Sequence, residues 1–173
     1  MKETVFRGHI ITVTIEDGFE SVHVPGSVHT FIITNSGELR LTVERRENST
    51  VVREKIQGGI INPQETPIEA AKRELLEELG LIAGDWQELL IQKTTGTIND
   101  TRYYFIAQGI TEVTNQTDNE VIATKDYPLE TVYTKAMRGQ FSPATQAAIA
   151  RLWFLVSKNE VNLNHRIETS NLR

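Results

Sequence analysis

Residues 59–81, GIINPQETPIEAAKRELLEELGL, spell out a loop and a helix with both helix ends specified. Thr66 is the N-cap, Pro67 takes the first helical position and Glu69 reaches back from N3, which together make a capping box. Gly80 stands where a left-handed C-cap residue belongs, followed by apolar Leu81. The spacing predicts a helix near 67–79. At about 100° per residue, Ile68, Ala71, Leu75 and Leu79 fall within an arc of roughly 80°, the core face. Glu74, Glu77 and Glu78 fill an adjoining arc about 100° wide. Three carboxylates there repel one another and cost helix stability, with only Lys72 and Arg73 close by. A hard divalent cation offsets such repulsion, and carboxylate oxygens are the ligands Mg²⁺ or Mn²⁺ prefer. An isolated acidic cluster is more often a solvated face.

The wider pattern decides between these readings. As a template the segment is G-x5-E-x7-R-E-U-x-E-E-x-G-U, with U apolar, and every position is filled. A chance match at a given start is on the order of one in 10⁸. This is the Nudix box, and the segment resembles the metal-binding core of a Nudix hydrolase. The resemblance implies that the Gly58 carbonyl and the Glu74 and Glu78 carboxylates are metal ligands, with Glu77 sharing that role. Gly58-Gly59 would form a tight loop in which a backbone carbonyl approaches the metal with no side chain in the way. Glu65 and Arg73 look like the pair that fixes loop against helix, an arginine being able to hold a carboxylate bidentately. The implied fold is a Nudix-type α/β/α sandwich around a mixed sheet. The implied reaction is hydrolysis of a nucleoside diphosphate linked to another moiety. Such hydrolysis needs metal ions for Lewis acidity and orientation, and a further carboxylate as general base.

The likeness extends along nearly the whole chain, more loosely. The stretches GELRLTVERR, TTGTINDTRYYFIAQG and DNEVIATKDYPLE resemble the ADP-ribose and nucleotide-sugar pyrophosphatase branch. There an arginine closing the strand before the box contacts phosphate; Arg46 matches it, with Arg45 as the neighbouring candidate. A loop acid acts as general base; Glu120 matches best, with Asp118 and Glu112 as competitors. Two departures stand out. Lys55 occupies the place, four residues before Gly59, where that branch commonly carries a glutamate, and Glu54 is one step off register. Thr94-Thr95-Gly96 stands where ADP-ribose enzymes usually read Ser-Pro-Gly, which keeps a nucleotide-sugar substrate open. The expected products are a nucleoside monophosphate and a sugar phosphate. The rival readings are hydrolysis of nucleoside triphosphates or dinucleoside polyphosphates, and a non-catalytic sensor of nucleotide sugars. A sensor typically loses box carboxylates, and here all are present.

At 173 residues the chain suits one domain, 1–173. Its 23 acids against 18 bases argue against a nucleic-acid partner. With no cysteine, thiolate chemistry is excluded. The start lacks an apolar signal region and no run is long enough to span a bilayer, so a cytoplasmic protein without membrane partners is expected. Strands are predicted at 5–15, 20–24, 28–34 and 39–43, with turns at Asp17-Gly18 and Asn35-Ser36-Gly37. The first two strands, within 1–26, read as an N-terminal β-hairpin outside the main sheet. In similar pyrophosphatases such strands pair across a dimer, which implies a homodimer here. Further strands are expected at about 87–94 and 101–108, and a short helix at 128–139. Ser142-Pro143 opens another helix, with Ile149, Leu152, Trp153 and Val156 on one face. Residues 158–173 read as a polar tail. The four histidines lack ligand-like spacing, and Trp86 and Trp153 read as packing residues. Strand alternation sends one of Tyr103 and Tyr104 to each face.

Overall fold

The computed structural model describes residues 1–45, 50–113 and 121–163. Nine strands form one mixed sheet: β1 (Lys2–Arg7), β2 (Thr12–Glu16), β3 (Phe19–His23), β4 (Ser27–Ile33), β5 (Leu39–Arg45), β6 (Val52–Lys55), β7 (Leu81–Thr94), β8 (Ile98–Glu112) and β9 (Val121–Tyr127). Three helices among the described residues pack on this nine-stranded part: α1 (Pro67–Leu79), α2 (Leu129–Met137) and α3 (Pro143–Ser157). The main path is β1-β2-β3-β8-β4-β5-β6, with β7 against β8 and β9 against β5. β8 runs parallel to β3 and β4 and antiparallel to β7. No helix among the described residues is long and apolar enough to cross a membrane.

Sheet alternation sorts the core into two layers. On β4, Val28 and Ile32 face α1, where they meet Ala70, Ala71, Leu75 and Phe105. Phe31 and Ile33 face the other way, joining Leu41, Tyr104 and Ile106 beneath Val132, Ile149 and Leu152 of α2 and α3. The tyrosines split as alternation requires, with Tyr104 in the α2/α3 layer and Tyr103 against the α1 layer. Small Ala70 and Ala71 let α1 approach the sheet closely, and complete burial of Leu75 contributes about 2 kcal/mol. The result is the expected α/β/α arrangement.

α1 begins and ends where its caps dictate. The Thr66 side chain accepts from Glu69 N, the Glu69 carboxylate accepts from Thr66 N, and Gly80 closes the helix at φ 64°. Ser142 caps α3 by accepting from Thr145 N. Asp17 and Gly18 both have positive φ, as a tight β2–β3 turn demands. Two expectations change. The run 5–15 is two strands broken around Gly8, so the predicted hairpin is present as β2–β3 and gains a further strand, β1, at its edge. These strands also belong to the sheet, because Val22 and His23 pair with Ile98 and Asn99. Strands β7 and β8 are longer than their sequences suggest, since pairing from Leu81↔Glu112 to Thr94↔Asp100, with one register shift between Glu88 and Leu90, carries β7 through Gly84.

Candidate active site

The loop ahead of α1 is stitched to β4 by its backbone. Thr30 N donates to the Gln57 carbonyl at 2.8 Å, Val28 N to the Gly59 carbonyl at 2.9 Å, and Gly59 N back to the Val28 carbonyl at 3.1 Å. At Gly58 a Cβ would overlap the Val28 carbonyl oxygen and the His29 backbone. At Gly59 a Cβ would land on the Glu74 carboxylate. The double glycine therefore serves two contacts, one with the sheet and one with the acidic face of α1.

Arg73 organises that face. Its Nε and Nη2 bind both oxygens of Glu65, at 2.8 and 3.1 Å, so the loop–helix pair read from sequence is present and bidentate. Nη1 also donates to Glu74 Oε1 at 2.8 Å and to Glu77 Oε2 at 2.9 Å, and Nη2 to the Ile60 carbonyl at 3.0 Å. These partners push the Arg73 pKa upward, and its hydrogen bonds draw Glu65 below the usual carboxylate range.

Glu74, Glu77 and Glu78 share a face of α1 but not an environment. Glu77 is 51% exposed, whereas the Glu78 side chain lies in the protein and the residue is only 7% exposed. Burial raises Glu74 and pushes Glu78 up to about 7. Glu78 accepts one hydrogen bond, from Gln57 Nε2 at 3.0 Å, and is biased in opposite directions by Lys55 and Glu44. Among the described residues no three His, Asp or Glu side chains already converge as a cation cage, because Arg73 holds Glu74 and Glu77.

Lys55 binds Glu44 at 2.8 Å, so a carboxylate from β5 stands beside the cation that replaces the expected glutamate. Glu54, one residue earlier, faces the other way. It accepts from Lys125 and Lys135 at 2.7 Å each and from Tyr127 at 3.0 Å, and these partners lower it to about 2. Glu44 and Lys55 also line a cavity of about 490 Å³ shared with His29, Arg53, Phe141 and Thr145. His29 stacks on Tyr104 at 4.9 Å and stays neutral at pH 7, burial, Arg102 and Lys55 having lowered it to about 4.

The structure therefore brings together Gly58, Glu65, Arg73, Glu74, Glu77 and Glu78. Arg45 ends β5 with its side chain exposed, and Glu112 ends β8 opposite Leu81. Arg46, Asp118 and Glu120 lie outside the described residues. Gln57, Glu44 and His29 were not legible as site residues, because no motif or periodicity marks them. The one signal was the position of Gln57, directly before the double glycine.

The sequence model of the NUDIX domain family matches residues 24–152, most of the chain and all of the box. The chain belongs to the Nudix family. No curated protein matches it. Among solved structures, this Nudix enzyme is similar to one described as an ADP compounds hydrolase. The two share 22% identity and a TM-score of 0.70, over 93% of this chain and 95% of the other. A NUDIX hydrolase from Nitrosomonas europaea is similar at 20% identity and a TM-score of 0.61, over 75% of this chain and 88% of that one. At these identities the likeness speaks for the shared fold. The Nudix enzyme and these structures thus share a scaffold.

Proposed function

We propose that this Nudix enzyme uses Mg²⁺ or Mn²⁺ to hydrolyse the diphosphate bond of ADP-ribose or a nucleotide sugar, releasing a nucleoside monophosphate and a sugar phosphate. The observation that carries the reading is the Glu74 carboxylate packed on Gly59 with buried Glu78 one turn further along α1. The fold likeness to an ADP compounds hydrolase, over almost the full length of both chains, favours a nucleoside diphosphate derivative as substrate.

The donors fit a hard divalent cation. All are oxygens, and burial raises both Glu74 and Glu78 despite Arg73 on the first and Lys55 near the second, a desolvation that a bound cation would offset. Mg²⁺ characteristically takes one or two protein carboxylates and completes its shell with water and substrate phosphate, so a preformed cage is not required. Glu74, Glu78 and the Gly58 carbonyl would hold the ion, with Glu77 on the solvent side. When bound, it supplies Lewis acidity and neutralises charge on the phosphoryl oxygens.

The chain's own residues do the rest. Arg73 holds Glu74 and Glu77 in place and locks the loop through Glu65. Arg46, with Arg45 beside it, offers guanidinium to the diphosphate. A water oxygen attacks one phosphorus, the bridging P–O bond breaks, and the water proton passes to a loop acid. Glu120 takes that proton in this reading, with Asp118 and Glu112 as the other candidates.

The exposed apolar side chains of Val5, Phe6, Ile10 and Phe19 on and beside β1–β3 support a homodimer formed through these strands. Sedimentation at micromolar concentration tests this, and a monomer refutes it. The acidic net charge of −5 favours a small-molecule partner over nucleic acid, in the cytoplasm and away from membranes. The deciding experiment for activity is a panel of ADP-ribose, nucleotide sugars and nucleoside triphosphates, assayed with and without EDTA. A sugar phosphate product supports the reading; pyrophosphate from triphosphates alone, or EDTA-resistant activity, defeats it.

A further inference from the structure

Gln57 is fully buried, yet only half of its amide is used. Its Nε2 donates to Glu78 Oε2 at 3.0 Å, while its Oε1 has no partner among the described residues. The backbone is fixed independently: Gln57 and Thr30 form an isolated antiparallel bridge, with the Gln57 carbonyl accepting from Thr30 N. The side chain thus leaves a fixed point on the sheet and ends on a buried carboxylate of α1. A buried amide with an unpaired oxygen works against folding, and an apolar residue of similar shape would avoid that cost. Packing alone does not account for a glutamine here.

The character of the donor does. Arg73 grips Glu74 with positive charge and partly satisfies it. Gln57 grips Glu78 with a neutral N–H, which orients the carboxylate and leaves its negative charge intact. Oε2 is committed to Gln57, and Oε1 accepts no hydrogen bond from the described residues, which leaves it for a cation. A lysine or arginine in that place would compete with the cation it was meant to assist.

We infer that Gln57 is a positioning residue that sets the Glu78 carboxylate for a divalent cation. This rests on the reading of Glu78 as a ligand. Outer hydrogen-bond partners of this kind typically change metal affinity by about 10–100-fold.

The test measures Mn²⁺ binding to the full chain without substrate, by the electron paramagnetic resonance signal of unbound Mn²⁺. Thermal midpoints in EDTA accompany it. Gln57→Met removes the donor, and Gln57→Asn keeps an amide too short to reach Glu78. Both should weaken Mn²⁺ binding about 10-fold, and a cooperative melt in EDTA should show that each variant folds. Thr30→Val removes the unpaired hydroxyl across the bridge without touching Glu78, so its Mn²⁺ affinity should equal wild type. Wild-type Mn²⁺ affinity in either Gln57 variant overturns the inference, as does an equal loss in Thr30→Val. If Gln57→Met does not fold, Gln57→Asn decides. Glu78→Gln separates the two levels: should it too bind Mn²⁺ as wild type does, the ligand reading of Glu78 fails and this inference falls with it.

Discussion

Arg73 holds Glu65 through two hydrogen bonds, Nε to Oε1 at 2.8 Å and Nη2 to Oε2 at 3.1 Å, so one guanidinium ties the loop before α1 to the helix itself. Because the same fork also reaches Glu74 and Glu77, the position of the acidic face depends on its planarity and reach. Lysine keeps the charge but cannot hold four partners in one plane. Arg73→Lys should therefore lower kcat/KM about 10²-fold, the loss a small misplacement at a reacting centre produces. Steady-state kinetics alongside circular dichroism checks this. A folded variant with wild-type kcat/KM would show that Arg73 does not position the acids.

The adjacent glycines should fail in different ways. A methyl at Gly59 meets the far end of the Glu74 side chain, which can swing aside. A methyl at Gly58 meets the Val28 carbonyl and the His29 backbone, which cannot move without breaking the stitch to β4. Gly59→Ala should remain folded and lose most activity, while Gly58→Ala should lose stability by about 1–3 kcal/mol, as overpacking does. Urea unfolding and turnover of both variants distinguish these outcomes. Equal melting of the two would contradict the geometry.

Glu78 links function to stability with opposite signs. Its folded pKa of about 7 lies above the ordinary 4.5, so the folded state binds the proton more tightly than the unfolded chain. The Glu78 contribution to metal-free stability should thus fall as pH rises from 4.5 to 7, by up to about 3 kcal/mol, while His29, lowered to about 4, acts in the opposite sense below 6.5. Glu78→Gln removes that loss, and in EDTA at pH 8 it should be more stable than wild type while turning over at least about 10²-fold more slowly. Parallel pH dependence in the two proteins would mean that Glu78 is not the group responsible.

How far the sequence led can be judged element by element. α1 was legible to its end residues because the signals that set it are local: Thr66, Pro67 and Glu69 at one end, Gly80 at the other. The β2–β3 turn was legible for the same reason. The pairing of β3 and β4 with β8 was not, because those contacts join residues about seventy-five positions apart and no local pattern encodes them. The motif marked Glu74, Glu77 and Glu78 as a set, but their unequal burial follows from which side of α1 leans on the loop at Gln57. Lys55 read as a missing acid, whereas in space it brings Glu44 to the same neighbourhood.

Glu54 supplies the last prediction, from the opposite limb of the pH scale. It joins β6 to β9 and α2 through Lys125, Tyr127 and Lys135, and those partners lower it to about 2. Its contribution is therefore complete above 4.5 and disappears as pH falls from 4.5 toward 2. Solvent reaches this cluster, so the contribution is about 1 kcal/mol rather than the full value of the shift. Glu78 penalises the fold above 4.5, while buried His29, lowered to about 4, penalises it as pH falls below 6.5, so between these values the two oppose each other and Glu54 acts alone only at the acid end. Glu54→Gln should flatten the acid limb alone. Mg²⁺ should flatten the alkaline limb alone, since only the α1 carboxylates gain from a cation. Thermal midpoints from pH 3 to 8, for wild type and Glu54→Gln with Mg²⁺ and with EDTA, separate the two limbs. An alkaline limb indifferent to Mg²⁺ would mean that the burial of Glu78 is not relieved by metal.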